Sequence, residues 1–508
     1  MPKHPLRFIL VGLIAGFLFN VLFYGRLPGI SALLFACLLL AGVAAALYWT
    51  KTPLTRANLW LVPALLFFSG MIALRANGFL IFLNIVTSLA LLALLALYLV
   101  PLPIYRLGLL QHLVAPVQAL GLAIVRAVDV STAGLRSAAP RLHGRQTAAL
   151  PVLRGLLLAF PVLIIFTALL ASADLIFADL IQRVFQLDFL DALDEWLARG
   201  LLITVVGFIV TGALAQVVWR NDPAATDSGV LQSLALPRVI GAVESTVALN
   251  AVNLLFLAFV IIQIPYLFGG ATNVHPAGFT YADYARRGFG ELVVTAVGVL
   301  GLLVGLGALT KQDTARQRKL FSLSSTVMVL LTTVMLASAF KRLLMYEQAY
   351  GFTQMRIYPH VFMVWLGLLL FWFVGTRWLR PQRFAVGVLI AALGFVATLN
   401  LINPDVLIVR ENMARYQQGI LSAAERGDTI DVGYFAQLSE DAVPALLTAL
   451  PQLNAEDQNV LDNILLQKQE VLTTDSHRWR SWPSFNLART RAWDALQAEY
   501  GGEGANRR

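Results

Sequence analysis

The sequence predicts an all-α integral membrane protein with about eleven transmembrane helices, followed by a small polar all-α C-terminal domain. The first observation is composition: 58% of the 508 residues are hydrophobic and only 13% are charged. A soluble globular domain has roughly 25% charged residues, so this chain has more apolar surface than a soluble core can bury. The second observation is that residues 405–508 contain fifteen of the twenty-nine acidic residues.

The candidate spans are apolar runs close to the roughly 20 residues that cross a bilayer core. They lie at about 6–24, 30–49, 57–74, 78–99, 152–172, 200–219, 239–267, 290–310, 320–348, 359–378 and 384–403. The change in composition predicts a transmembrane domain over residues 1–403 and a polar helical domain over 404–508. Within the latter, Ser439 is an expected helix N-cap, with Glu440 and Asp441 in the first turn.

The distribution of basic residues predicts the topology. With a cytoplasmic N-terminus, the inside segments hold 19 Lys and Arg, and the outside segments before residue 405 hold 9. This bias agrees with the positive-inside rule, and an odd number of spans then places the C-terminal domain outside. One span more or fewer would reverse that placement. Cytoplasmic loops also account for the net charge of +9, so no nucleic-acid partner is expected.

Two further segments have amphipathic patterns. Residues 101–150 begin with a helical pattern that has a basic polar side, which is typical of a helix lying in the membrane interface near anionic lipid. Residues 174–198 contain six acids and one arginine. This second segment is expected to pack over the outer ends of the spans.

The stretch KRLLMYEQAYGFTQMRIYPH, residues 341–360, is unusually polar for its position between two apolar runs. One interpretation is an interfacial tyrosine belt with snorkelling basic side chains. The other is a buried polar cluster that docks an outer loop and the C-terminal domain. Gly351 is a natural helix break between the two spans. The candidate residues in this stretch are Arg342, Tyr346, Glu347, Tyr350 and Arg356.

A second group of candidates precedes the eighth span. Arg287 and Glu291 are four residues apart, the spacing of a helix-surface ion pair, and Arg286 points away from them. Together with Arg342 and Arg356, these arginines predict a partner-binding or anionic-headgroup site, because guanidinium groups match carboxylate and phosphate oxygens. The alternative is that they only anchor the helix ends in the interface.

Three polar residues lie in the seventh predicted span: Glu244, Asn250 and Asn253. Polar groups in a span face the bundle or line a substrate path. Glu244 is close enough to the span's start to be a surface cap, and the asparagines suit hydrogen bonds between helices. Two small-xxx-small pairs, Gly12/Gly16 and Gly301/Gly305, predict close helix packing.

Several kinds of site are not predicted. The six histidines are scattered, and none has a metal-ligand spacing with cysteine or another histidine. The sequence has no phosphate-binding loop, dinucleotide fingerprint or nucleophile elbow. We therefore expect no metal and no cofactor.

Five strings carry a family resemblance: TYADYARRGFGEL (280–292), RLLMYEQAYGFTQMRIYPHVFMVWL (342–366), NPDVLIVRENMARY (403–416), DVGYFAQLSEDAVPAL (431–446) and SFNLARTRAW (484–493). Over residues 240–495 the chain resembles the bacterial membrane proteins grouped as domain of unknown function 4173, with the related 4153 group. The resemblance implies a polytopic protein of the bacterial cytoplasmic membrane and no particular reaction.

Three functions remain open at this point. The first is a non-enzymatic scaffold, sensor or assembly factor with a recognition surface at the extracytoplasmic face. The second is a secondary transporter with a polar path through the seventh span. The third is an enzyme acting on a lipid-linked substrate, with Glu347 or Glu291 as acid or base, for which no nucleophile is apparent.

Overall fold

The computed structural model describes residues 5–52, 56–99, 104–106, 108–138, 191–219, 238–268, 289–380, 383–419 and 430–501. These residues form sixteen helices and several short 3₁₀ turns, and they contain no β-strand. Eleven helices in this part of the chain are long and apolar enough to cross a membrane. The predicted all-α membrane fold with C-terminal helices is therefore confirmed.

The helices before the composition change are α1 (Pro5–Phe23), α2 (Ile30–Thr50), α3 (Leu61–Leu74), α4 (Gly78–Tyr98), α5 (Leu109–Ala138), α6 (Asp191–Trp219), α7 (Ala242–Phe268), α8 (Phe289–Leu309), α9 (Ala315–Tyr350), α10 (Gln354–Leu379) and α11 (Phe384–Ile402). Those after it are α12 (Pro404–Gln417), α13 (Val443–Ala449), α14 (Ala455–Thr474), α15 (Ser476–Trp479) and α16 (Leu487–Tyr500).

The long helices form a bundle with two ends. We call the end where α1 begins the near end; Thr50, Tyr98 and Leu379 also lie there. The far end holds the α1–α2, α3–α4 and α9–α10 connections and the end of α11. The C-terminal helices pack on the far end, where their core residues Phe435, Leu446 and Leu461 join a cluster that includes Ile357 of α10.

Close packing of α1 on α6 depends on glycine. A Cβ added at Gly12 would lie 2.4 Å from the carbonyl oxygen of Gly207, and one at Gly16 would lie 2.1 Å from that of Ile203. The predicted packing role of Gly12 and Gly16 is thus confirmed. For Gly301 and Gly305 the packing role stays a prediction, since an added Cβ would meet no atom within 4 Å among the described residues.

Helix α5 differs from the predicted spans. It is long and apolar enough to cross a membrane, yet its contacts lie at the near end. Position Gly134 packs on Ile9 at the start of α1, and Arg126 donates to Gln216 in the last turn of α6 over 3.4 Å. The interfacial location predicted for residues 101–150 stays a prediction that these contacts support. The span predicted at 152–172 and most of segment 174–198 lie outside the described residues.

Candidate functional site

The polar stretch 341–360 lies at the far end, where α9 ends and α10 begins. Helix α9 has 36 residues, which is roughly 54 Å at 1.5 Å per residue and longer than a bilayer core of about 30 Å. Gly351 ends it with φ 76°, a left-handed conformation that favours glycine. A Cβ there would also lie 2.8 Å from Oδ1 of Asn412, so this break seats α12 closely.

Glu347 is one of the most buried carboxylates of the described chain, with 1% of its surface exposed. Its Oε1 is 3.0 Å from Nδ1 of His360, and the Arg415 side chain of α12 donates to its backbone carbonyl. Burial lowers the pKa of Arg415, against the opposing charges of Glu347 and Glu411. A buried carboxylate is costly without hydrogen-bond partners, so these contacts hold α9, α10 and α12 in one arrangement around Glu347.

Arg356 is held by the end of the preceding helix. Its guanidinium carbon is 4.3 Å from the ring centre of Tyr346 and 5.9 Å from that of Tyr350. Its Nη1 donates to the carbonyl oxygen of Tyr350 over 2.8 Å and to that of Gly351. Arg356 therefore closes the last turn of α9, whose carbonyl groups lack intrahelical donors, while 51% of Tyr350 remains exposed.

The other predicted residues of this site are dispersed or outside the described chain. Arg342 is buried, with 9% of its surface exposed. Glu291 is exposed in the first turn of α8 and has no ion pair among the described residues. Arg286 and Arg287 lie outside the described residues. The structure thus brings together Tyr346, Glu347, Tyr350 and Arg356, and it does not show a four-arginine cluster.

The three polar residues of the seventh predicted span have separate roles. Glu244 lies in the first turn of α7 and accepts from the backbone amide of Gly241 over 3.0 Å, as a local cap. Asn253 is buried and donates to the Ser324 carbonyl of α9 over 3.0 Å. Asn250 is exposed. These contacts resemble capping and interhelical hydrogen bonding.

The most extensive polar contact at the far end was not predicted as a site. We call it the docking seam: Arg75, Asn77, Asp405, Ser439 and Asp441, which join the α3–α4 connection to the C-terminal helices. Asp405 is fully buried. Its Oδ2 accepts from Nδ2 of Asn77 over 3.0 Å and from the Ser439 amide over 3.0 Å.

Asp441, from the C-terminal helices, holds the α3–α4 connection just before α4. Its Oδ2 accepts from the backbone amides of Ala76 over 2.6 Å and Asn77 over 3.1 Å, immediately before α4. Its Oδ1 is 3.5 Å from Nη1 of Arg75. A helix N-terminus favours such a negative group. Burial nevertheless raises the pKa of Asp441, although the Ala76 amide and the Arg75 charge act in the opposite direction.

The seam continues into the bundle through two asparagines. Arg75 donates from Nε and Nη2 to the carbonyl oxygen of Asn400, over 2.8 and 2.5 Å. The side chains of Asn400 and Asn84 exchange two hydrogen bonds. Asn84 and Asn400 stand out in the sequence as polar residues inside apolar spans. A single polar residue, however, does not reveal which distant residue is its hydrogen-bond partner.

The α1–α2 connection forms a second contact with the C-terminal helices. The Ile30 amide donates to the Phe485 carbonyl over 2.9 Å, and a Cβ at Gly29 would lie 2.5 Å from that oxygen. Nearby, Asn486 donates to the carbonyls of Ile72 and Arg75 over 2.9 and 2.7 Å. The C-terminal domain is therefore held by several loops of the far end.

A surface pocket of about 470 Å³ opens beside the α9–α12 contact. It is lined by Gln348, Glu411, Ala414, Arg415 and Gln418. One acidic side chain, one basic side chain and two side-chain amides face the pocket, so it suits a polar ligand or peptide segment that carries both charge signs. No group of three or more potential metal ligands occurs among the described residues.

Comparison with known proteins gives one family. No curated protein and no solved structure matches this chain. The model of the family described as Domain of unknown function (DUF4153) matches residues 61–449. That range covers α3 to α13, including the polar stretch and all five residues of the docking seam. The chain is a polytopic membrane protein that belongs to the DUF4153 family.

Proposed function

We propose that this protein is a non-enzymatic scaffold, sensor or assembly factor of the bacterial cytoplasmic membrane. In this proposal the bundle holds the C-terminal domain at the extracytoplasmic face, where it binds a protein partner. A closer relation to the 4173 group also stays a prediction.

The observation that carries the proposal is the docking seam. Asp405 and Asp441 are both buried, and each accepts hydrogen bonds from Asn77. Buried carboxylates are costly unless fully paired, and such contacts specify one relative arrangement of the groups they join. A domain seated in this way suits presentation of a defined surface to a partner.

The proposed partner-binding surface consists of exposed Tyr350 and the pocket beside α12. Glu411, Gln348 and Gln418 are exposed around this pocket, and Arg415 lies in its wall. Tyrosine and arginine are enriched at the energetic centres of protein interfaces. The partner chemistry that fits is a polar protein segment with both charge signs.

The test is photo-crosslinking in native membranes. A photoreactive amino acid replaces Gln348 or Gln418 in the pocket, and the same replacement at exposed Gln467 of α14 is the matched control. We expect one discrete adduct from both pocket positions, lost on Arg415→Ala, and no such adduct from position 467. Equal labelling at all three positions would contradict the proposed surface.

The topology has its own test. In this test Cys37, the chain's single cysteine, is first replaced by serine. A new cysteine in place of exposed Asp494 then reports on the far end of the bundle, and one in place of exposed Lys311 reports on the near end. We expect a membrane-impermeant thiol reagent to label position 494 in intact cells and to label position 311 only after lysis. The opposite pattern would place the C-terminal domain in the cytoplasm.

The two alternative functions have less support from the contacts. For a transporter, Asn253 is occupied by the Ser324 carbonyl, so of the two asparagines only Asn250 is exposed. For an enzyme on a lipid-linked substrate, the Glu347 carboxylate is engaged by His360. Loss of transport on Asn250→Leu, with crosslinking retained, would favour the transporter.

A further inference from the structure

A second polar site lies at the near end, away from the docking seam. Arg377, in the last turn of α10, is half-buried against the start of α9. Its Nη2 donates to Oε1 of Gln312 over 2.5 Å, and its Nε donates to Oγ of Ser322 over 3.2 Å. Its guanidinium carbon lies 4.6 Å from the ring centre of Phe321. The side chain is therefore fixed by three neutral groups.

The charge of Arg377 has no anionic partner. No carboxylate within the described ranges forms an ion pair with it, and its Nη1 has no acceptor there. The Nε2 donor of Gln312 is buried and also has no hydrogen-bond partner among the described residues. Because Arg377 engages the amide oxygen, the orientation of this amide is set. Arg377 and Gln312, which are bonded to each other, thus each keep one N–H donor group without an acceptor among the described residues: Nη1 of Arg377 and Nε2 of Gln312.

The surroundings reinforce the positive potential. Segments 311–319 and 377–383 contain seven basic residues and one acidic residue, Asp313. Arg318 donates to the backbone carbonyls of Gln312 and Asp313 over 3.0 and 3.2 Å, which orders the loop that carries Gln312. A desolvated cation without a counter-charge is costly, and a bound anion would remove that cost.

The exposed apolar surface beside Arg377 favours a membrane lipid as the source of the anion. Trp378 and Leu379 follow Arg377 directly and are 47% and 82% exposed. The Trp378 indole donates to Oγ1 of Thr326 over 3.0 Å, and tryptophan is enriched at membrane–water interfaces. Because Trp378 and Leu379 end a candidate span, we expect an acceptor beside them to lie at the level of lipid headgroups. Arginine binds phosphate oxygens with two parallel hydrogen bonds.

We propose that Arg377 and Gln312 form a binding site for the phosphate of an anionic phospholipid headgroup. The phosphate oxygens accept from Nη1 of Arg377 and Nε2 of Gln312, with a small shift of the amide side chain. The acyl chains then lie along the surface of Trp378 and Leu379. This site is independent of the proposed partner surface, which is at the opposite end of the bundle.

The test compares lipids on the purified, delipidated full-length protein. Phosphatidylglycerol, phosphatidylcholine and inorganic phosphate are each titrated, with melting temperature and lipid retention by native mass spectrometry as readouts. We expect phosphatidylglycerol alone to raise the melting temperature. Arg377→Gln should weaken its retention about tenfold, whereas Arg380→Gln, the same charge change at an exposed neighbour, should change it less than about twofold.

A third variant keeps the test decisive if Arg377→Gln does not fold. Gln312→Glu retains Arg377 and supplies the missing negative charge from within the protein. It should melt higher than the wild type without lipid and lose the response to phosphatidylglycerol. An unchanged lipid response in Gln312→Glu, or equal loss in Arg377→Gln and Arg380→Gln, would overturn the proposed site. Equal stabilisation by inorganic phosphate would overturn the assignment to a lipid headgroup.

Discussion

The side chains of Asn84 and Asn400 exchange two hydrogen bonds, of 2.9 and 2.8 Å, across 316 residues of sequence. Both residues are fully buried, and they join α4 to α11. A buried amide that loses its partner retains the whole cost of its desolvation. The pair therefore links two helices that are distant in the sequence, and each amide relies on the other for hydrogen bonds that offset its desolvation.

This dependence predicts a non-additive mutant cycle. Asn84→Ala and Asn400→Ala should each destabilise the protein by about 1–3 kcal/mol, because each removes both hydrogen bonds of the pair. After Asn84→Ala, the Asn400 side chain keeps its hydrogen bond to the Val396 carbonyl, but its amide oxygen loses the Asn84 donor. The double variant should cost less than the sum of the two. Thermal or denaturant unfolding in detergent measures all four proteins. Additive losses would show that the two amides are not coupled.

The docking seam predicts a local loss of protection. Asp441→Ala removes the acceptor for the amides of Ala76 and Asn77, so these amides should exchange with solvent faster. Hydrogen–deuterium exchange of the peptide covering 70–80 measures the change. Asp494→Ala, an exposed carboxylate of α16, is the control and should leave that peptide unchanged. Unchanged exchange in Asp441→Ala would mean that the seam does not protect the connection.

Asp441 also predicts a pH dependence. Burial raises its pKa above the ordinary value of 3.8, so the folded protein holds this proton more tightly than the unfolded chain. The contribution of Asp441 to stability must then fall as pH rises from 3.8 through the raised pKa. Lys468, Arg75 and Asp405 are the charged groups around the seam.

The measurement is the melting temperature of wild type and Asp441→Asn across pH. The amide does not titrate, so the difference between the two proteins isolates Asp441 from the other carboxylates. We expect the wild type's advantage to be larger at about pH 4, near the ordinary pKa of the unfolded chain, than at about pH 8. A constant difference, or one that grows with pH, would contradict the raised pKa.

The glycine pairs predict opposite effects for the same substitution. Gly16→Ala places a methyl group against the Ile203 carbonyl and should destabilise the α1–α6 contact by about 1–3 kcal/mol. Gly305→Ala meets no atom within 4 Å in the part of the chain that the structure describes. It should be neutral or stabilising by about 0.5–1 kcal/mol, because alanine restricts the unfolded chain and favours helix. Melting temperatures of the two variants test this difference in sign.

The sequence predicted the helices better than their contacts. Apolar length located nearly all the described spans, and Gly351 was recognised as the end of a long helix. Hydropathy alone does not decide whether α5 crosses the membrane or lies in the interface, since both kinds of helix can be apolar over this length. Likewise, Gly301/Gly305 has the same spacing as Gly12/Gly16, and only the neighbouring helix distinguishes them.

The candidate site was predicted in part. The sequence identified the polar stretch, and the docking interpretation agrees with the contacts of Glu347 to Arg415 and of Gly351 to Asn412, two residues of α12. Asp441 was not grouped with Arg75 and Asn77, because it lies more than 360 residues away from them in the sequence and each of the three is unremarkable locally. Long-range pairing of single polar residues leaves no periodic pattern in a sequence.

The contact between the α1–α2 connection and Phe485 has a consequence for biogenesis. The amide of Ile30 and the connection at Ala76 are synthesised early, but their acceptors, Phe485 and Asp441, arrive hundreds of residues later. Because domains emerge and fold from the N-terminus during translation, these backbone amides remain hydrated until nearly the whole chain has been made. Seating of the last helices is thus a late step of assembly, and a chain that stops before Asp441 and Phe485 leaves the far-end loops without these acceptors.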